Sequence, residues 1–276
     1  MNLERSRLLR AGGVVLLVGV MLGIAAIPAG AVLGAGARWT TGQAAELPGQ
    51  VVDPPVAQLT RIYANDGKTL ITTFYDQDRH DVPLAGIAPV MQQAIVAAED
   101  TRFYEHGGVD LRGVARALVT NTQSGSVEQG ASTLTMQLVR NALKEDMSLT
   151  ADERAAATEE TAARKLREIQ YAIALEQRLT KQQILHNYLN IVYFGDGAYG
   201  VEAASRRIFG TTPARLSLAQ AALIAGIVRN PEADNPVGGD PERARTRQVY
   251  VLDAMVKAQM ITQEQRDEAV AEKLTF

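Results

Sequence analysis

Residues 95–108 read Ile95-Val96-Ala97-Ala98-Glu99-Asp100-Thr101-Arg102-Phe103-Tyr104-Glu105-His106-Gly107-Gly108. The apolar half continues a helix. Met91, Ala94, Ile95 and Ala98 recur at i, i+3, i+4 and i+7 behind Pro89, a residue that a first helical turn accepts. That helix closes on two carboxylates, at the end where the backbone dipole disfavours negative charge. The cations, aromatics and glycines that follow are a suitable surround for a carboxylate acting as a base. An exposed helix end with local ion pairs accounts for the same residues.

Three further clusters lie downstream. Gly130-Ala131-Ser132-Thr133-Leu134-Thr135-Met136-Gln137 runs on to Arg140, Asn141 and Lys144. Small and hydroxyl residues opening a helix present backbone N–H groups to an anion, and the cations extend such a site; an ordinary helix capped by Ser132 or Thr133 fits equally. In Arg164-Lys165-Leu166-Arg167-Glu168-Ile169, Arg164 and Glu168 stand four apart and meet on one helix face. A solvated salt bridge is one reading. Against it, Tyr171 to Leu175 are nearly all apolar, so the helix reads as buried and its charges as lining something. The last cluster, Ile184-Leu185-His186-Asn187-Tyr188-Leu189-Asn190-Ile191, leads into a Gly-rich turn and Ala198-Tyr199-Gly200-Val201-Glu202. It reads as core that positions the other clusters.

Around these clusters the sequence predicts a mostly α chain with one β-hairpin. Thr60 to Tyr63 and Thr69 to Tyr75 are rich in β-branched and aromatic residues and flank the turn signal Asn65-Asp66-Gly67. Everything after them reads as helical. Leu111, Val114, Ala115 and Leu118 repeat the helical spacing, and Thr180-x-x-Gln183, Ser217-x-x-Gln220 and Thr262-x-x-Gln265 mark three helix starts. Gly195, Gly197, Gly200 and Gly210 punctuate the chain between the first two. The stretches Asn121 to Gln129 and Lys144 to Glu160 read as loops, the second also as an extension of the helix after it.

The formal charge of −3 over 276 residues provides no global basic field, so nucleic acid is not an expected partner and any anion site must be local. With no cysteine and three scattered histidines there is neither a disulfide framework nor a closed zinc site. Ala11 to Ala37 carry no charge, longer than the roughly 20 residues a helix needs to cross a bilayer. Arg5, Arg7 and Arg10 before it place the N-terminus in the cytoplasm. A signal peptide cleaved after Ala35-Gly36-Ala37 is the competing reading, although such apolar regions usually span only about 7–15 residues. The expected division is a cytoplasmic tail at 1–10, a signal-anchor helix at 11–37, a proline-containing linker at 38–57 and a catalytic domain at 58–276.

Taken together, in order and spacing, the four clusters resemble the motifs of glycosyltransferase family 51, the peptidoglycan glycosyltransferase domain of class A penicillin-binding proteins. E-D-x-x-F-x-x-H-x-G is matched at Glu99, Asp100, Phe103, His106 and Gly108. G-x-S-T-x-T-Q-Q is matched at Gly130, Ser132, Thr133, Thr135 and Gln137, and R-K-x-x-E at Arg164, Lys165 and Glu168. I-L-E-x-Y-L-N is matched at Ile184, Leu185, Tyr188, Leu189 and Asn190. The likeness runs from about Thr60 to about Ala269. Met136 stands where the family has glutamine, and His186 where it has glutamate. The first change removes a hydrogen bond expected to face substrate, so restoring glutamine there is expected to keep or raise activity.

The resemblance implies a two-lobed, lysozyme-like fold whose smaller lobe touches the membrane, on a single-pass protein of the bacterial cell membrane with its catalytic domain outside the cytoplasm. It implies polymerisation of lipid II into β-1,4-linked glycan with inversion and release of undecaprenyl diphosphate. Glu99 would be the base and Glu168 the second acid, orienting cations, assisting the leaving group or binding a divalent ion. No cofactor is required by the sequence, and magnesium or manganese at Glu168 stays open. Asp100, Arg102, Phe103, His106, Ser132, Thr133, Gln137, Arg140, Lys144, Arg164, Lys165 and Asn190 would bind substrate, and Arg140, Lys144, Arg164 and Lys165 should converge near Glu168. Partners would be lipid II, the lipid-linked glycan, the bilayer and other wall-synthesis and division proteins. A glycan-cleaving enzyme and a weakened scaffold of the wall machinery are the rivals. The chain has neither S-x-x-K nor K-T-G of a transpeptidase, so it reads as a monofunctional enzyme or a piece of a longer one.

Overall fold

Asp66 accepts hydrogen bonds from the amides of Lys68 (2.9 Å) and Thr69 (2.8 Å), and Gly67 takes a φ of +65° that a side chain would strain. The turn folds β1 (Thr60–Tyr63) back on β2 (Leu70–Phe74) as an antiparallel pair, with Thr60 opposite Phe74 and Ile62 opposite Thr72. The structure, a computed structural model, describes residues 60–74, 78–116, 132–146, 148–159 and 161–276. All of them belong to one compact unit, Pro48–Phe276.

After the hairpin the described residues are mostly helical, with a departure the sequence did not announce. β3 (Asp78–Arg79) and β4 (Ala198–Tyr199) form a short parallel pair. Two residues a side leave no periodic pattern to read. The fully described α-helices are α1 (Pro89–Glu99), α2 (Leu134–Glu145), α3 (Ala151–Ala156), α4 (Ala162–Glu176), α5 (Lys181–Ile191), α6 (Gly200–Phe209), α7 (Leu218–Ile227), α8 (Pro241–Lys257) and α9 (Gln263–Ala271).

The capping boxes at Thr180, Ser217 and Thr262 are formed and start α5, α7 and α9. A fourth, Thr150 with Glu153, starts α3. The described residues of 144–159 hold the end of α2 and a short, separately capped helix where a loop or an extension of the following helix was expected, because Thr-x-x-Glu is as good a start signal as Thr-x-x-Gln.

α7 is apolar on all sides and almost wholly buried, which makes it the centre of the core; α1 and α8 pack against it. A second group, α4 and α5, packs against α2. Gly226 lets α8 come close, since a Cβ there would meet the Cβ of Arg247 at 3.0 Å. α4 is buried along one face only: Ala172 and Leu175 are inside while Ile173 and Leu166 are exposed. Residues 111–116 are helical, yet Leu111 is 71% exposed, so this apolar repeat does not face the core. Leu118 and Asn121 to Gln129 lie outside the described residues, as does the segment 11–37. Among the described residues no helix is long and apolar enough to cross a membrane.

Candidate active site

α1 ends at Glu99 because the backbone leaves helical geometry at Asp100, with φ −157° and ψ 75°. Glu99 lines a cleft of about 630 Å³ between the end of α1, the start of α2, the residues that follow α7 and one face of α8. Gln137 Nε2 donates to Glu99 Oε2 at 2.8 Å, and the hydroxyl of Tyr188, fully buried on α5, donates to Gln137 Oε1 at 3.0 Å. Burial is the strongest influence on Glu99 and raises its pKa. The Gln137 hydrogen bond and the charges of Arg247 and Arg229 pull it down, Asp100 pushes it up, and the balance is upward. A carboxylate with a raised pKa is a stronger base when ionised.

Asp100 is 8% exposed and spends both oxygens inside the protein. Oδ2 accepts the amide of Leu134 at 3.0 Å, the first residue of α2, and Oδ1 lies 2.8 Å from His106 Nε2. Thr133 caps α2 by accepting the amide of Met136 at 3.2 Å, and its hydroxyl donates to the carbonyl of Gly108 at 2.8 Å. Gly108 sits so close to α4 that a Cβ would lie 2.5 Å from the amide nitrogen of Ile173. This set ties the loop after α1 to the N-terminus of α2 and to the middle of α4.

Six residues expected to bind substrate do not line the cleft: Phe103, His106 and Asn190 turn inward, and Lys144, Arg164 and Lys165 lie outside it. Phe103 is fully buried with Lys181 Nζ 4.4 Å over its ring. His106 is committed to Asp100 and to the carbonyl of Gly107. Asn190 is 5% exposed and uses its amide to hold both the N–H and the carbonyl of Val82, each at 3.0 Å. Asp100, Arg102, Ser132, Thr133, Gln137 and Arg140 do line the cleft. Arg102 pairs there with Asp110. Met136 is 1% exposed and packs in the hydrophobic core, so its departure from the family pattern faces away from the cleft. His186 is half-buried, with its ring 3.1 Å from Asn187 Oδ1.

Glu168 gathers three cations. Arg140 Nε lies 2.6 Å from Oε1, Arg164 donates to the same oxygen, and Lys165 Nζ lies 3.4 Å from Oε2 while also donating to Ser132. Burial pushes the Glu168 pKa up, but the hydrogen bond and charge of Arg140 with the charges of Lys165 and Arg164 outweigh it and hold the carboxyl below its ordinary range. Lys144 does not join them. It lies 3.5 Å from Glu145 and over the ring of Tyr193, in the last turn of α2, one turn past Arg140. A carboxylate already held by three cations does not fit a divalent ion. Asp100, His106 and Asp110 do come within 4.8 Å of one another, yet their atoms serve Leu134, Arg102 and Gly113.

The sequence reading missed part of the cleft. Arg116, Arg229, Arg247 and Lys257 join Arg102 and Arg140 on its walls, against Glu99, Asp100 and Asp110. Arg229 follows α7 and Arg247 sits in α8, 4.4 Å over the ring of Tyr250. No local spacing announces them, since only the close packing of α7 on α8 brings them to Glu99. An acid poised as a base beside a cluster of cations equips a protein to deprotonate a nucleophile and expel an anion.

Residues 66–256 match the family described as transglycosylase, and the chain belongs to that family, glycosyltransferase family 51. It is 41% identical to penicillin-binding protein 1A of Neisseria gonorrhoeae over 215 residues, 78% of this chain and 25% of that one. It is 40% identical to penicillin-binding protein 2D of Bacillus subtilis over 221 residues, 80% of this chain and 30% of that one. The chain thus spans only 25–30% of the length of these relatives. The crystal structure of penicillin-binding protein 1A from Haemophilus influenzae is similar at 22% identity and a TM-score of 0.43, over 80% of this chain and 21% of that one.

Proposed function

We propose that this chain is a peptidoglycan glycosyltransferase that polymerises lipid II. The observation that carries the reading is the placement of two acids by one helix: Gln137 of α2 holds Glu99 and, three residues on, Arg140 holds Glu168. Glu99 accepts the proton of the acceptor's 4-hydroxyl while that oxygen bonds to the anomeric carbon of the lipid-linked chain. The bond from that carbon to the diphosphate breaks on the opposite face, which inverts the α-linkage to β. The leaving group carries away the electron pair as undecaprenyl diphosphate. Arg140, Arg164 and Lys165, held in place by Glu168, meet the charge that builds on it. Ser132, bonded to Lys165, and Arg102 serve the substrate from the cleft wall.

Residues 11–37 serve as the membrane anchor, with 1–10 in the cytoplasm and the catalytic domain 58–276 outside, its two-lobed, lysozyme-like body working at the bilayer surface on lipid-linked partners. The burial of Met136 in the core supports activity over a weakened scaffold, because that substitution leaves the cleft intact. A hydrolase has no use for cations gathered opposite its base. Incubating the full chain with labelled lipid II in detergent or vesicles tests the reading. Long glycan is expected. Cleavage of preformed, diphosphate-free glycan without polymerisation overturns it.

A further inference from the structure

The hydrogen bonds around Gln137 have a direction, and that direction assigns a task to a residue outside the reacting set. Tyr188 is fully buried and its hydroxyl donates to Gln137 Oε1 at 3.0 Å. A buried phenol keeps a partner, and an amide oxygen is its natural acceptor. With Oε1 occupied, the amide must present Nε2 to Glu99 Oε2, where it sits at 2.8 Å. The reverse orientation would bring an amide oxygen against a carboxylate oxygen, two acceptors with no proton between them.

An ionised Glu99 enforces that orientation by itself. Once Glu99 has taken a proton, its hold on the amide weakens, and only Tyr188 still fixes it. We propose that Tyr188 is a positioning residue for the transfer reaction, locking the Gln137 amide so that Glu99 Oε2 always accepts a hydrogen bond and Oε1 is the oxygen that takes the substrate proton. The proposal rests on the reading of Glu99 as the base. Among the described residues Oε1 accepts no hydrogen bond, so it is the oxygen open to the incoming hydroxyl. Burial, with the nearby charge of Glu99, raises the Tyr188 phenol well above its ordinary value, so it stays a neutral donor throughout the working range.

The charged groups facing Glu99 are Asp100 beside it, Arg229 after α7 and Arg247 on α8, and Arg140 faces Tyr188; none of them is hydrogen-bonded to the Gln137 amide, whose partners are Glu99 and Tyr188. Tyr188→Phe in the full chain should therefore lower kcat for lipid II polymerisation roughly tenfold with KM unchanged, since the amide that holds the reacting carboxylate loses the hydrogen bond that fixes it. The Gln137 bond lowers the Glu99 pKa, so losing its alignment should move the acid limb of the pH profile up by about one unit. Gln137→Leu should show the same limb shift, and adding Tyr188→Phe to it should cost nothing more, as expected for residues acting through one another. Additive losses in that cycle, or a lower Tm with an unmoved acid limb, overturn the proposal. Should Tyr188→Phe fail to fold, Gln137→Leu decides alone: an acid limb left at its wild-type position overturns the relay. Activity that survives Glu99→Gln would instead sink the base assignment, a separate failure.

Discussion

Gln137 and Arg140 lie three positions apart on α2, and each closes on a different acid, Gln137 on Glu99 and Arg140 on Glu168. Their Cα atoms differ by about 4.5 Å along the helix axis, so any displacement of α2 moves both acids together. Asp100 and Thr133 hold the start of that helix. The site's accuracy depends on how firmly α2 is seated.

Glu99→Gln should reduce polymerisation of lipid II by about 10²–10⁴-fold, the usual worth of general-base assistance. The amide keeps the size of the side chain and loses its basicity. Thermal melting should stay near wild type, because burial opposes the charged form that the substitution removes. Turnover close to wild type with normal melting would take Glu99 out of the base role.

The pair of His106 with Asp100 gives stability a pH dependence of predictable sign. Burial lowers the histidine's pKa, but the hydrogen bond to Asp100, helped by Gly107 and the Asp100 charge, raises it on balance above the ordinary value near 6.5. A raised folded-state pKa contributes stability that is complete below about pH 6.5 and is lost as the pH climbs through the folded value. The Tm difference between wild type and His106→Gln should therefore be larger at pH 6 than at pH 9. A gap that widens with pH would contradict the pairing.

Met136→Gln no longer reads as a repair. Met136 is 1% exposed inside the apolar cluster, so an amide there would lose its water without a provided partner. The cost should be about 1–3 kcal/mol of stability, read as a lower Tm, while turnover per folded molecule stays unchanged. A gain in turnover would mean that position 136 reaches substrate after all.

The parts of the fold that were legible in sequence are those with local causes. Three capping boxes, Pro89 at a helix start and the Asn65-Asp66-Gly67 turn each involve groups only a few residues apart. Glu99, Gln137, Arg164, Lys165 and Glu168 stood in the motifs and Arg140 in the stretch after the second, and the structure brings Gln137 to Glu99 and Arg140, Arg164 and Lys165 to Glu168. Membership of a motif did not say which way a side chain faces: Phe103 and Asn190 went to the interior and Met136 to the core. Arg229 and Arg247 were missed because their nearness to Glu99 is a product of helix packing, as is the Tyr188 link to Gln137, 51 residues away.

The sharpest separation between transferase and hydrolase comes from the cations around Glu168. Arg140 and Lys165 reach it from different helices, α2 and α4, and each is about one third exposed, so neither is needed to fill the core. In the proposed reaction their bonds would strengthen as charge builds on a departing diphosphate, which would make them worth more in the transition state than with bound substrate. Arg140→Ala should therefore lower kcat by about 10²-fold, on the scale of losing one charge-stabilising donor, with a smaller change in KM and little change in Tm. Lys165→Ala should act the same way and also release Ser132. Lys144→Ala should cost much less, because Lys144 is turned toward Glu145 and Tyr193. Equal losses at Lys144 and Arg140 would mean that the diphosphate is met along the whole of α2, and a rise in KM alone would mean that these cations bind substrate without favouring its reaction.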